Sequence, residues 1–208
     1  GCGRLAPASC SEEPKTVTNE EYEALHSEIE RLRPHRVESA FGPIPASVKH
    51  LETLLESAAQ EDRPPLYTLL AGECSHARND RLHLQVLRRC AAELPDDPLS
   101  HSSLAFGLAL MEGDRKESVE AGRRAVALAK AQNVLVRYCA GDLARVAPMV
   151  DDYEALHHAT EVLVDDAGSR RLEDCGYEFD FLGRIDRTRF DGDLLGEFEA
   201  LAEHYGRR

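Results

Sequence analysis

Tryptophan is absent from this 208-residue sequence, and aromatic residues make up only 6% of it. No apolar run is long enough to span a bilayer, so the sequence predicts no transmembrane segment. Motifs of common catalytic sites are also missing: there is no G-x-S-x-G turn, glycine-rich phosphate loop or HExxH helix. We therefore expect a protein that is not an enzyme and uses no cofactor. A catalytic triad assembled from distant Ser, His and Asp residues is the alternative.

Positive charge is in short supply. Lysine and arginine number 25 against 38 acidic residues, which gives a formal net charge of −13. A protein that neutralises phosphates needs a surplus of positive charge, so we expect no nucleic-acid partner. The negative charge would suit a basic protein partner, and a surface that only promotes solubility explains it equally well.

The cysteines form no CxxC pair. Six occur, at positions 2, 10, 74, 90, 139 and 175. Cys74, His76, His83 and Cys90 come nearest to a metal-ligand set, but their spacing fits no closed zinc site, and we expect no bound metal. Free, buried thiols favour a reducing, cytoplasmic location. The alternative is an exported lipoprotein, because Cys2 after a small residue resembles a lipoprotein cleavage point. A Cys2–Cys10 disulfide is a separate possibility, and only an exported protein would keep it.

Helical periodicity dominates the rest of the chain, while β-type alternation is scarce, so an all-α fold is predicted. Thr18 and Glu21 have the spacing of a capping box before a first helix. Proline- and aspartate-rich breaks at 42–45, 62–65 and 95–98 separate the later helices. The predicted helices cover 19–33, 45–60, 66–77, 82–94, 100–111, 117–130, 134–145, 153–164 and 194–204.

Small and apolar residues recur every 34 positions. Three triplets keep this spacing: Gly72, Phe106 and Ala140; Leu87, Ala121 and Ala155; and Ala91, Ala125 and Ala159. A pair of helices cannot bury its apolar face alone, so a repeated pair implies a stack. Gly113-Asp114 is then the turn inside one unit.

These residues resemble those of the tetratricopeptide repeat (TPR) family. Gly72, Ala91, Ala125, Ala140 and Ala159 match, as does the proline-bearing junction "LPDDP" at 94–98, whereas Phe106 and Gly122 depart from the family pattern. The resemblance implies an α-solenoid of about three helix–turn–helix repeats, with N-terminal helices and a C-terminal capping helix. The expected regions are a disordered tail at 1–18, N-terminal helices at 19–63, repeats at 64–166, and a cap and loop at 167–208. Whether the N-terminal helices include one decayed repeat is left open.

In TPR arrays the first helix of each pair lines a concave groove that binds a peptide or a partner helix. Transferred to this chain, that register implies a partner-binding set at Leu69, Glu73, His76, Ser100, Ser103, Gly107, Val134, Arg137, Gly141 and Arg145. Arg137 and Arg145 stand two turns apart and are suited to hold a carboxylate by paired hydrogen bonds. The alternative is that both arginines pair with neighbouring acids such as Asp142 and Asp151.

The expected function is therefore non-catalytic binding of a protein or peptide in the groove. Two other classes remain open: an acidic inhibitor or immunity protein that masks a basic partner, and an enzyme or metal protein built on the Cys74 grouping. Whether the array dimerises through an uncapped end is also left open.

Overall fold

The structure is a computed structural model. It describes residues 44–111 and 115–169, together with Glu23, Ala24, Ser27, Asp186, Thr188, Gly192, Leu195, Gly196 and Glu199. Seven α-helices have described bounds, and no strand occurs in this part of the chain, which confirms the all-α prediction for it. The helices are α1 (Ala46–Ser57), α2 (Arg63–His76), α3 (Asp80–Glu93), α4 (Pro98–Leu110), α5 (Arg115–Gln132), α6 (Val136–Met149) and α7 (Tyr153–Ser169), with a 3₁₀ turn at Gln60–Asp62.

Polar side chains and prolines fix several helix starts. Asn79 accepts a hydrogen bond from the Leu82 amide at the start of α3. Asp97 accepts from the Leu99 and Ser100 amides at the start of α4. Such caps supply partners for amides that the first helical turn leaves unpaired. Helix α4 therefore begins at Pro98, directly after its Asp97 cap and two residues before the predicted start.

Three helices end in the same way, with a non-glycine residue in the left-handed region. Arg78, Asn133 and Asp151 have φ of 52°, 53° and 58°. At each end the next amide reaches back five residues, as from Val134 N to Ala129 O at 3.1 Å. This is a Schellman motif, which pairs the carbonyls that a helix end would leave free. The sharp reversals bring α2 against α3 and α6 against α7.

The closely packed helix pairs are consecutive or next-but-one along the chain, namely α1–α2, α2–α3, α3–α4, α4–α5, α5–α6, α6–α7, α4–α6 and α5–α7. The buried residues fall into three clusters in the same order. The first joins α1 to α3 and is rich in leucine. The second joins α3 to α5 and includes Val146 of α6, and the third joins α5 to α7 and is rich in alanine. The hydrophobic core therefore consists of three clusters, each formed by helices that are close in sequence.

Four predicted helix ends are wrong by three to five residues. The helix predicted over 45–60 ends at Ser57, because Ala58 is already extended. The helix predicted over 153–164 runs on to Ser169, and its added turn includes Asp166, which is buried in an ion pair with Arg137. The helix predicted over 66–77 begins at Arg63, because Pro64 and Pro65 are tolerated in a first turn, where no amide is needed. The helix predicted over 134–145 runs to Met149 and includes Pro148 in its last turn. Val146 and Ala147 have no exposed surface, so the extra turn is held by core packing.

Several predictions fall outside the described residues. They include the tail at 1–18, most of the helix at 19–33, the Gly113-Asp114 turn, and Cys2, Cys10 and Cys175. Leu195, from the predicted capping helix, is helical and buried in the cluster formed by α5 to α7. Cys74, Cys90 and Cys139 are buried free thiols. Within the described ranges, no helix is both long and apolar enough to cross a membrane.

Candidate functional site

A groove of about 430 Å³ runs across one side of the helices and is lined mainly by α2, α4 and α6. These are the first helices of the three predicted pairs. His83, Leu87 and Cys90 of α3 add to its wall. The groove therefore lies where residues from four helices, distant in sequence, meet.

The groove-lining residues recur with a spacing of 35. Thr68, Ser103 and Tyr138 occupy equivalent positions on α2, α4 and α6; so do Gly72, Gly107 and Asp142, and then Ser75, Leu110 and Arg145. The three helices therefore present the same face to the groove. Its chemistry changes along the groove, from small side chains on α2 to large and charged ones on α6.

The α6 side carries most of the charge. Tyr138, Asp142 and Arg145 are separated by four and three residues, so they stack along one helix face. The Ser102 hydroxyl donates to Asp142 Oδ2 at 2.6 Å. Burial raises the pKa of the Asp142 carboxyl, while the Ser102 hydrogen bond and the Arg145 charge oppose that change. Burial likewise raises the pKa of the Tyr138 phenol.

A short hydrogen-bonded chain joins α3 to the start of α4. The Cys90 thiol donates to Ser100 Oγ at 3.2 Å, and the Ser100 hydroxyl donates to the Asp97 carboxylate. Burial raises the pKa of Cys90 to about 11, so the thiol stays protonated near neutral pH. A nucleophilic cysteine needs a lowered pKa. This arrangement caps α4 and fixes α3 against it.

His83 contributes an imidazole from α3. Its Nδ1 atom is buried and has no hydrogen-bond partner in the described part of the chain. Burial lowers the pKa of His83, with the Asp80 charge acting in the opposite direction, so the ring is neutral near pH 7. A neutral imidazole next to a groove can donate or accept one hydrogen bond.

Large apolar side chains are exposed along the groove. Leu99 is 38% exposed, Leu110 54% and Tyr138 48%, and all three line the cavity. Exposed apolar side chains scattered singly are normal, but a group on one concave surface is typical of a binding site.

Four of the ten predicted partner-binding residues line the groove: Ser100, Ser103, Gly107 and Arg145. Leu69 packs against the leucine-rich cluster, and Glu73 is buried and accepts a hydrogen bond from Ser47 at 2.7 Å. His76 is exposed at the end of α2, with Nδ1 donating to Gly72 O at 2.7 Å. Gly141 is buried, and Val134 is 43% exposed just before α6.

Arg137 does not line the groove with Arg145. Its guanidinium pairs with Asp166 of α7 at 3.0 Å, and the two side chains are 14% and 7% exposed. The partner is neither Asp142 nor Asp151, the acids suggested by sequence. Because Arg137 is held in a buried pair, the predicted two-arginine clamp does not form.

The register explains the misplaced residues. A spacing of 34 places the groove face of α2 at 69, 73 and 76, whereas 68, 72 and 75 line the cavity. One residue along a helix rotates the side chain by about 100°, which turns a groove position into a core position. The structure fixes the spacing at 35 residues, and counting 35 in either direction from the correctly predicted residues of α4 gives the correct face on α2 and α6.

Among the described residues, no group of three or more His, Cys, Asp or Glu side chains is placed to hold a metal ion. Burial raises the pKa of Cys74 to about 12, which disfavours the thiolate that a metal would need. The chain matches no protein-family model, no curated protein and no solved structure.

Proposed function

We propose that this protein is a non-catalytic binding module, built as a divergent TPR-like array of about three helix pairs, that holds a peptide segment of a partner protein in the groove. The observation that carries the proposal is the concentration of exposed Leu99, Leu110 and Tyr138 on one concave surface. Burying such side chains on binding supplies the affinity, and a few anchors usually dominate it.

The recurrence of 35 residues supports the array. It relates groove positions on α2, α4 and α6. It also relates Arg88 to Arg123 on the second helices, where Arg88 pairs with Glu117 at 2.6 Å and Arg123 with Glu154 at 3.1 Å. These ion pairs link α3 to α5 and α5 to α7. Similar links between successive second helices are expected of stacked repeats.

The size of the groove supports a peptide rather than a folded domain. A volume of about 430 Å³ accommodates a few side chains. Its polar groups are mostly hydroxyls, with two carboxylates, Asp97 and Asp142, and one guanidinium, Arg145. An inhibitor of a basic protein would favour a dense acidic cluster, so peptide binding fits this groove better.

The test is selection of a random-peptide display library on the immobilised protein. We expect enriched peptides whose affinity falls roughly tenfold or more in Leu110→Glu, because the new carboxylate would be desolvated under the peptide. Ile44→Glu is the matched control, since Ile44 is 47% exposed and does not line the groove. The proposal fails if no peptide is enriched, or if both folded variants bind as well as the parent.

A further inference from the structure

We propose that the α6 end of the groove binds a lysine or arginine side chain of the partner segment, with the carbon stem on Tyr138 and the cationic head at Asp142. This inference rests on the proposed function and specifies the chemistry of the partner: a basic residue beside apolar ones.

Only one of the two Asp142 carboxylate oxygens has a hydrogen-bond donor among the described residues. Ser102 donates to Oδ2 at 2.6 Å, and no described residue donates to Oδ1. The carboxylate faces the groove and is only partly exposed. A partly buried carboxylate gains most from a charged donor, because charge-assisted hydrogen bonds are about twice as strong as neutral ones.

Tyr138 lies one helical turn before Asp142 on the same face and is 48% exposed. Aromatic rings attract cations to their faces, and the alkyl stem of lysine or arginine packs on apolar surface while its head remains solvated or paired. The Tyr138 ring is therefore suited to the alkyl stem of such a side chain, and the Asp142 carboxylate to its cationic head. Leu110 of α4 adds apolar surface to the same groove.

The charge balance favours a cation over an anion. The groove-lining residues include two carboxylates, Asp97 and Asp142, and one guanidinium, Arg145. Burial lowers the pKa of His83, so its imidazole is neutral and adds no positive charge. Along α6, Tyr138 precedes Asp142 and Arg145 follows it, and the Arg145 charge acts on both groups. Because like charges repel, the cation is expected over the Tyr138 ring rather than beside Arg145. The whole chain has a formal charge of −13, which steers basic segments towards it.

The experiment uses a peptide enriched on the parent protein, or a synthetic positional library, with each position replaced in turn by lysine, norleucine or glutamate. Norleucine has the stem of lysine without its charge. We expect one position at which lysine binds roughly tenfold better than norleucine, and at which Asp142→Asn removes this preference. Glu161→Gln is the control, since Glu161 is an exposed carboxylate outside the groove.

Equal affinities for lysine and norleucine at every position would overturn the inference while leaving peptide binding intact. A preference for glutamate would also overturn it and would assign the site to Arg145. The absence of any peptide binding would instead defeat the proposed function itself. The comparison of lysine with norleucine is made on the parent protein, so it does not depend on the folding of a variant.

Discussion

The two faces of α6 use their charged side chains differently. On the face towards α7, Arg137 is 14% exposed and pairs with Asp166. On the groove face, Tyr138 is 48% exposed and Asp142 has an oxygen without a described hydrogen-bond donor. The first face uses its charges to hold helices together, whereas the second leaves polar and apolar groups partly exposed in the groove. Neighbouring positions in sequence thus serve stability on one side and, in the proposed function, binding on the other.

The sharpest test of the buried face is Asp166→Ala. We expect it to lower the free energy of unfolding by about 3 kcal/mol, because it leaves the Arg137 guanidinium buried without its carboxylate. Urea denaturation at pH 7 measures the change. Glu154→Ala breaks the pair with Arg123 and is the control: Glu154 is 86% exposed, so the loss should stay within about 0.5 kcal/mol. Equal losses in the two variants would contradict the distinction between the faces.

The next largest effect concerns the buried thiols, through which alkaline pH should destabilise the folded protein. Burial raises the pKa of Cys74 and Cys139 to about 12 and that of Cys90 to about 11, above the ordinary thiol value of 9.0. These thiols favour the folded state fully below pH 9, and their contribution is lost as the pH rises towards the folded pKa. The expected loss is about 1 kcal/mol per thiol for each pH unit above 9.

Denaturation with reductant between pH 8 and 11 measures this dependence. The unfolding free energy of Cys139→Ala should fall less steeply with pH than that of the parent. The expected difference is the contribution of one thiol, about 1 kcal/mol for each pH unit above 9. Tyr138→Phe, at the adjacent position on the groove side, should change the slope less, because that phenol is half exposed. A slope unchanged by Cys139→Ala would show that this thiol is not the titrating group.

The smallest expected effects distinguish α2 from α4 along the groove. Gly72 and Gly107 are equivalent positions on α2 and α4, but an added Cβ at Gly72 meets open space, while one at Gly107 clashes with the Leu87 side chain. Gly72→Ala should stabilise the protein by about 0.5–1 kcal/mol through helix propensity. Gly107→Ala should destabilise it by about 1 kcal/mol, because Leu87 is buried and must move. Thermal unfolding of both variants checks the opposite signs.

The sequence predicts the helices better than it predicts the groove. Apolar stripes and the Asp97 cap place α4 to within two residues, and all three predicted groove residues of α4 line the cavity. On α2 and α6 most of the groove face was missed, because small buried residues repeat at both 34 and 35 and periodicity alone does not distinguish these spacings. The Arg137–Asp166 pair joins residues 29 apart through helix packing, which no local pattern predicts.

The most direct test of the account is a methyl NMR titration of the protein with a selected peptide. We predict that the methyl resonances of Leu99 and Leu110 shift on binding, while those of Leu70 and Leu156, which have no exposed surface, stay close to their free positions. Shifts confined to Ile44 or to residues of α7, with Leu99 and Leu110 unchanged, would contradict a binding site in the groove.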